Sequence, residues 1–195
     1  MPAPSSNERE RWNEKYRESP EAWLHPDSFL ERAFAEFVHP LFPRGGHALD
    51  LAGGAGRHAI WLARRGWEVT LIDISQAGVE LARKNSASLP AHIHFAVDDL
   101  THFRASQTRF DLVMVFFYLE RPIFPEIIKA LRPGGVLLYK THTRTQAKLR
   151  HGPSSPEHLL RPGELQRLAR GLHVLHYAET VADKATAELV ARKEP

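Results

Sequence analysis

The stretch from Ala48 to Asp73, ALDLAGGAGRHAIWLARRGWEVTLID, constrains the fold more than any other part of the chain. Its apolar ends are typical of two strands, and a glycine-rich turn and an amphipathic segment lie between them. Strand, glycine turn, helix, strand and a closing acid are the parts of a βαβ nucleotide-binding unit. Because glycine lacks a Cβ, such a turn can be tight and a ligand can approach the main chain closely.

The glycine turn does not by itself identify the nucleotide, since Gly54-x-Gly56-x-x-Ala59 also satisfies the dinucleotide fingerprint. Asp50, at the end of the first strand, favours another ligand because a carboxylate beside the turn would repel a pyrophosphate. It suits a ligand with an ammonium group and no phosphate, such as S-adenosylmethionine. Asp73 is placed to accept hydrogen bonds from a ribose diol. A methyl-donor site is therefore the preferred interpretation, with a dinucleotide site and a purely structural turn as alternatives.

The bulk properties exclude several classes of protein. The 195 residues suffice for one domain with a full core but do not comfortably hold a two-domain dehydrogenase. The net charge is +3, but the basic residues are spread along the chain, so no nucleic-acid partner is expected. The absence of cysteine excludes disulfides, thiolate metal sites and a cysteine nucleophile. No histidine pair stands at metal-binding spacing beside an acid, so no metal site is expected either.

Targeting signals are also missing from the sequence. No apolar run approaches the roughly 20 residues that span a bilayer. The first residues, MPAPSSNERERW, contain no apolar signal core. The sequence therefore predicts a cytoplasmic protein with no membrane partner.

A single domain over residues 1–195 is expected, with three less regular regions. These are a loose segment over residues 1–10, a helical lid over 11–40 and a mobile loop over 144–160. Trp12 and Tyr16 share one face of the predicted first helix. They either close the cofactor cleft as part of a lid or pack two aromatic rings on the body of the domain.

The rest of the chain alternates between predicted strands and helices. Three predicted strands follow the βαβ unit, namely HIHFAVDD, FDLVMVFFYLE and VLLYKTHT. A predicted hairpin closes the chain and consists of LHVLHYAET and TAELVARKE. The apolar run FDLVMVFFYLE is typical of a central parallel strand that is buried on both faces. The pattern predicts a three-layer α/β fold with a Rossmann-like, seven-stranded sheet.

This order of elements resembles the class I S-adenosylmethionine-dependent methyltransferases. Their sheet has the strand order 3-2-1-4-5-7-6, with the last strand antiparallel. The resemblance lies in ALDLAGGAG as the cofactor motif, IDIS after the second strand, DDL after the third, RFDLVMV as the fourth and LRPGGVLLY before the fifth. A narrower resemblance is to the tellurite-resistance methyltransferases, which are related to thiopurine methyltransferase. It lies in the segments WNEKYRE, FFYLERPIFP, HLLRPGEL and LVARKE.

One residue departs from the family motif, which has glycine where this chain has Ala52. An alanine is tolerated there if its φ stays negative, so a negative φ is expected at Ala52.

The resemblance implies cofactor roles for residues around the turn and the strand ends. Asp50 would hold the methionine amino group, directly or through water, and Asp73 would hold the ribose hydroxyls. The remaining implied contacts are the main chain of Ala52, Gly53 and Gly54 under the cofactor, Gly56 in the turn, Ile74, Asp99 and Leu100 around adenine, Arg57 and Phe116 at the methionine part, and Trp12 and Tyr16 in the lid.

The aromatic run Phe116, Phe117 and Tyr118 lies where the methyl acceptor should enter. Strand alternation would place Phe116 and Tyr118 on one side and Phe117 on the other, in the core. Tyr118 and His142 are the candidate catalytic residues because an alcohol acceptor needs a base. His151 and His158 in the loop are further candidates for that base.

The sequence therefore predicts a methyltransferase that uses S-adenosylmethionine, releases S-adenosylhomocysteine and needs no metal. A small soft nucleophile, namely a thiol, a selenol or a tellurium species, is the expected acceptor, since such groups need little base catalysis. Small O- or N-acceptors are the alternative. A non-catalytic S-adenosylmethionine-binding module is the rival from another class. A monomer or a homodimer is expected.

Overall fold

A computed structural model describes residues 4–19, 24–89, 92–106 and 108–195. Within them, seven strands form one sheet: β1 His47–Leu51, β2 Glu68–Asp73, β3 Ile93–Val97, β4 Phe110–Phe116, β5 Leu131–His142, β6 His173–Val181 and β7 Ala185–Arg192. The strand order is β3-β2-β1-β4-β5-β7-β6. β7 runs antiparallel to both of its neighbours. The predicted sheet order and its antiparallel last strand are therefore confirmed.

Helices cover both faces of this sheet. They are α1 Pro4–Glu18, α2 Ser28–Ala33 with a π-helical continuation Phe34–Val38, α3 Arg57–Ala63, α4 Gln76–Asn85, α5 Phe124–Ala130 and α6 Glu164–Leu168. The hydroxyl of Ser75 accepts a hydrogen bond from Gly78 N and caps α4. Over the part of the chain that the structure describes, none of the helices has the length and apolar content needed to cross a membrane.

Strand alternation divides the core into two apolar clusters, one on each face. All seven residues of β4 are buried, in agreement with the predicted central strand. One face carries Leu49, Val113 and Leu137 and packs against α5 and α6, and the opposite face carries Ala48, Leu112 and Leu138 and packs against α2, α3 and α4. The carboxyl ends of β1, β2 and β4 meet between these layers, where parallel α/β sheets place their ligand sites.

The N-terminal region differs from the prediction in two ways. Residues 4–10 belong to α1 and are not a loose segment, and residues 1–3 lie outside the described residues. α2 is a core helix and not part of a lid, because Phe29 and Leu30 are at most 2% exposed. Within the described part of the predicted lid, α1 is the element that lies over the glycine turn, where Tyr16 contacts Gly54.

The loop over residues 144–160 is anchored at its base. Leu160 N donates to His142 O, and Arg144 N donates to Leu160 O, both at 2.9 Å. Gln146 inside the loop is 1% exposed. These bonds fix the two ends of the loop to β5, whereas the sequence predicted a mobile segment throughout.

Candidate active site

The glycine turn between β1 and α3 leaves no room for side chains at two of its positions. A Cβ on Gly54 would lie 1.9 Å from Tyr16 Oη, and a Cβ on Gly53 would lie 2.9 Å from Asp50 Oδ2. Gly54 and Gly56 also have φ values of +52° and +79°, which favour glycine. The turn is therefore built from glycine for both steric and conformational reasons.

Ala52 does not keep the negative φ that the sequence analysis expected. Its φ is +58°, in the left-handed region. The turn begins while the chain is still bonded to β2, since Gly53 N donates to Ile72 O at 3.3 Å and Gly56 N donates to Gly53 O at 2.9 Å. A side chain in that conformation costs about 1–2 kcal/mol. The turn therefore uses a left-handed residue at position 52, and the protein adopts this conformation with a strained alanine.

Replacing Ala52 with glycine should raise the free energy of unfolding by about 0.5–1 kcal/mol. Relief of the left-handed strain, about 1–2 kcal/mol, exceeds the 0.4–1 kcal/mol cost of a more flexible unfolded chain. Chemical denaturation measures the change. The control is Ala35→Gly, at an exposed position in the π-helical continuation of α2, which should lose about 1 kcal/mol. Equal losses in both variants would contradict strain at Ala52.

Asp50 is a buried carboxylate beneath this turn. It is 1% exposed, and neither oxygen has a hydrogen-bond partner among the described residues. Burial raises the pKa of Asp50 to about 7, against the attraction of Arg57 and with a further increase from Asp73. The Ala59 amide lowers this pKa without meeting hydrogen-bond geometry. Asp50 is therefore an acid whose charge the folded chain does not compensate.

Asp73 is also buried, at 5% exposure, but it is partnered. Its two oxygens accept hydrogen bonds from Gly54 N and Ser75 N, each at 2.8 Å. Burial nevertheless raises the pKa of Asp73 to about 6. The bond to Gly54 ties the end of β2 to the glycine turn. Each carboxylate oxygen can accept another hydrogen bond, so a diol remains a possible ligand.

α1 covers the turn through residues of one helical face. Asn13 Oδ1 accepts hydrogen bonds from Ser75 Oγ at 2.8 Å and from Ala77 N at 3.1 Å. Tyr16 is 7% exposed, and Trp12 stacks on it with ring centroids 6.0 Å apart. The sequence analysis identified both aromatic residues but missed Asn13, whose role depends on where α1 meets α4.

The predicted adenine residues follow the ends of β2 and β3. Leu100 is 3% exposed, Ile74 is half-buried, and Asp99 Oδ1 accepts from Thr101 N at 3.0 Å. A cleft of about 520 Å³ lies beside them, lined in part by Glu8 and Thr101. These residues are therefore grouped at one end of the turn.

The aromatic run after β4 is arranged differently from the expectation. Phe116 is a core residue, with its ring 4.1 Å from His58 and 6.1 Å from Phe29 between centroids. Phe117 packs against the cluster on that same face, and Tyr118 packs against the cluster on the opposite face. β4 ends at Phe116, and Phe117 has a φ of +58°, so strand alternation stops there. The expected alternation was therefore wrong, since Phe116 and Phe117 pack on one face and Tyr118 on the other.

Basic side chains surround the ring of Phe117. The charged atoms of Lys184, Lys140 and Arg57 lie 4.9, 5.8 and 5.8 Å from its centroid, and the His142 ring lies 5.1 Å away. These distances are within the range of cation–π attraction. The sequence analysis missed both lysines, although the charge of Lys140 at the end of an apolar strand was a usable signal.

His142 is held in a defined orientation at the end of β5. Its Nδ1 lies 3.2 Å from Gln146 Oε1, which also accepts a hydrogen bond from Ala185 N at 2.8 Å. Gln146 Oε1 is thus the acceptor, and this assigns the proton to Nδ1 and the lone pair to Nε2. Burial lowers the pKa of His142 in spite of the bond to Gln146, so the neutral ring is favoured.

The predicted catalytic pair is not brought together. His142 borders Phe117, whereas Tyr118 packs on the opposite face, near the acids Glu120, Glu8 and Asp99. Burial, followed by repulsion from Glu120, raises the pKa of Tyr118, so its hydroxyl stays protonated. A protonated phenol cannot serve as a base.

The comparisons with known proteins agree with this geometry. Residues 48–135 match the methyltransferase domain family. The chain is 32% identical over 157 residues to the ubiquinone biosynthesis O-methyltransferase of Xanthomonas axonopodis pv. citri, covering 77% of this chain and 62% of that protein. The chain spans less than two thirds of the length of the curated relatives it matches.

Solved structures share the fold. One similar structure comes from a study of the conversion of a disulfide bond into a thioacetal group during echinomycin biosynthesis. It matches this chain with a TM-score of 0.74 and 21% sequence identity, over 96% of this chain and 92% of that one. A TehB-like S-adenosylmethionine-dependent methyltransferase from Corynebacterium glutamicum has a TM-score of 0.66 and 21% identity over 100% of both chains. At this identity the likeness concerns the fold alone, and the tellurite-resistance subgroup stays a prediction.

The residues of the turn fit the cofactor that this family implies. Asp50 offers a buried, unpartnered carboxylate to an ammonium group, and the main chain at Gly53 and Gly54 has no space for any Cβ. Residues 48–135 match a methyltransferase domain, and the sheet that they help to form has the strand order of the Rossmann-like methyltransferase fold.

Proposed function

We propose that the protein transfers a methyl group from S-adenosylmethionine to a small molecule that lies against Phe117. Asp50 carries this proposal, because it is buried beneath the glycine turn and its carboxylate has no partner among the described residues. An uncompensated buried charge is strongly destabilising. Such a carboxylate is therefore suited to a cationic ligand, and the ammonium group of the methionine part supplies that cation.

The other cofactor contacts are assigned by their position around the same turn. Arg57 makes no hydrogen bond with any residue of the described ranges and would take the methionine carboxylate. Asp73 would take the ribose hydroxyls. The remaining residues assigned to the cofactor are Ala52, Gly53, Gly54 and Gly56 through their main chain, Ile74, Asp99 and Leu100 at adenine, the Phe116 main chain at the methionine part, and Trp12 and Tyr16 as the cover.

The bound cofactor supplies an electrophilic methyl group on a sulfonium. The task of the protein is to hold the acceptor in line with that methyl group and to exclude water. α1 covers the cofactor side, and the Phe117 ring forms a wall on the acceptor side. No covalent intermediate with the protein is needed.

A soft nucleophile is the first candidate for the acceptor. A thiol or selenol ionises near neutral pH, so the site has little need of a base. The cations around Phe117 would stabilise the resulting anion. A tellurium oxyanion-derived species has the same charge requirement.

An O–H acceptor is the second candidate, favoured by one observation. His142 is neutral, oriented by Gln146, and lies beside Phe117, which are the properties of a general base. The relative named as a ubiquinone biosynthesis O-methyltransferase is consistent with an oxygen acceptor. Either acceptor is a small molecule.

The variant His142→Gln separates the two candidates. With a phenol as acceptor, loss of the base should lower turnover by about 10²–10⁴-fold, whereas turnover with a thiol should change little. Because the pKa of His142 is lowered, wild-type turnover of the phenol should not depend on pH above about 6.5. His158→Gln in the loop is the control and should leave both rates unchanged. Unaltered phenol turnover in His142→Gln would remove His142 from the mechanism.

Calorimetric titration with S-adenosylhomocysteine, with NAD as the control, tests the proposal as a whole. Micromolar binding of the first ligand and none of the second is expected. A screen of thiol and phenol acceptors then distinguishes an enzyme from a non-catalytic binding module. Binding of NAD alone, or of neither ligand, would refute the proposal.

A further inference from the structure

The basic side chains around Phe117 come from three separate parts of the fold. Arg57 begins α3, Lys140 lies near the end of β5, and Lys184 belongs to the turn between β6 and β7. Each charged atom lies within 6 Å of one ring centroid. Their convergence is a property of the tertiary structure, since the three residues are far apart in the sequence.

The carboxylates near this ring neutralise only part of the charge. Lys140 Nζ lies 2.9 Å from both Asp27 Oδ1 and Glu188 Oε1, so its charge is compensated. Glu188 is shared with a further cation, Arg32, at 3.2 Å. Arg57 and Lys184 form no ion pair with any residue in the described parts of the chain. Two cations thus face the Phe117 ring without a bonded counterion.

The bound cofactor would occupy one of these two cations and leave the other available to a second ligand. Arg57 lies on the cofactor side, where the carboxylates of Asp27 and Asp50 attract its charge, and is assigned above to the methionine carboxylate. Lys184 is exposed and lies closest to the Phe117 ring, at 4.9 Å. It therefore remains free to meet a second ligand on that ring.

We propose that the acceptor is an anion with a planar, conjugated body, and that Lys184 binds its negative group while the body stacks on Phe117. This inference rests on the proposed function only for the identity of the second ligand as the methyl acceptor. The flat ring favours a stacked partner, and the surplus positive charge favours a carboxylate or another oxyanion over a neutral group. Lys184 is then a specificity-determining residue for the acceptor.

Benzoate and its neutral isostere benzamide are suitable probes, titrated into the protein saturated with S-adenosylhomocysteine. Benzoate should bind at least about threefold more tightly than benzamide, since an exposed ion pair contributes about that much. Lys184→Gln should abolish the difference, and Lys184→Glu should reverse it. Lys148→Gln, another exposed lysine but in the anchored loop, is the matched control and should keep the wild-type preference.

The outcomes separate the inference from the proposed function. If S-adenosylhomocysteine binds but both probes bind equally or not at all, the anionic acceptor is wrong and the methyltransferase proposal stands. An unchanged preference for benzoate in Lys184→Gln would also overturn the role of Lys184. The same titrations without S-adenosylhomocysteine test the charge preference even where the cofactor fails to bind.

Discussion

Replacing Asp50 with asparagine is expected to stabilise the ligand-free protein and to weaken S-adenosylhomocysteine binding by about 30-fold or more. Stability should rise by about 1–3 kcal/mol at pH 8, because a buried unpaired charge is removed while the side chain keeps its shape. Affinity should fall because one member of a buried charge pair is lost, which costs 2–5 kcal/mol or more in comparable complexes, that is, roughly 30-fold upwards. Chemical denaturation and calorimetric titration measure the two effects.

The pH dependence of stability gives a second readout for the same variant. The folded protein holds a proton on Asp50 more tightly than the unfolded chain, since its pKa is raised from 3.8 to about 7. The contribution of Asp50 to the free energy of unfolding of the ligand-free protein should therefore fall as pH rises from about 4 to about 7 and level off above that, which the difference between the wild type and Asp50→Asn measures. Asp73, with its pKa raised to about 6, adds to the same decline. Asp50→Asn should retain only the contribution of Asp73.

Asp98→Asn is the control, because Asp98 is exposed at the end of β3 and lies outside the turn. It should change neither stability nor affinity appreciably. If Asp50→Asn instead destabilised the protein and left S-adenosylhomocysteine binding intact, the carboxylate would have a partner within the protein, and its assignment to the cofactor would fall.

Replacing Gly54 with alanine should be the most damaging single change in the turn. The new Cβ would lie 1.9 Å from Tyr16 Oη, and Tyr16 cannot easily move away because a Cβ at Gly78 would lie only 2.8 Å from its ring. We expect a loss of about 1–3 kcal/mol from the collision and about 1–2 kcal/mol from the left-handed φ. Binding of S-adenosylhomocysteine should weaken at least tenfold, since the amide of Gly54 also orients Asp73.

Gly66→Ala measures the cost of a left-handed φ without a collision, so its difference from Gly54→Ala gives the contribution of the collision. Gly66 has a φ of +81°, and a Cβ there would have no atom within 4 Å. It should lose only the conformational part and keep the affinity of the wild type. Combining Gly54→Ala with Tyr16→Ala should make the two losses less than additive, by about 1–2 kcal/mol, because the collision is absent in the double variant. Strict additivity would show that Tyr16 does not close the turn.

The resemblance to known methyltransferases led to a correct sheet order and cofactor class, but it could not supply backbone conformations. The family glycine at position 52 implied the geometry of the turn, and the alanine here adopts that geometry at φ +58°. The expectation of a negative φ failed because it treated the residue alone. In the structure, Gly53 N is still bonded to Ile72 O on β2, so the backbone at Ala52 is held between β1 and this bond.

The acceptor side could be predicted only in part for a similar reason. Alternation is a reliable guide within β4, where every residue is buried, but it gives no information beyond Phe116, where the strand ends. Phe117 was therefore assigned to the core and Tyr118 to the site. The structure places Phe117 among the basic side chains and Tyr118 among acids on the opposite face.

Local patterns in the sequence determined the βαβ unit, the glycine turn and the two acids that end its strands. They could do so because hydrophobic period, glycine and strand-end position act over a few neighbouring residues. Only the tertiary structure decided which distant residues share a site. Lys184 meets Phe117, and Gln146 orients His142, because a hairpin and a loop return to the carboxyl ends of β4 and β5. No local pattern encodes such long-range contacts.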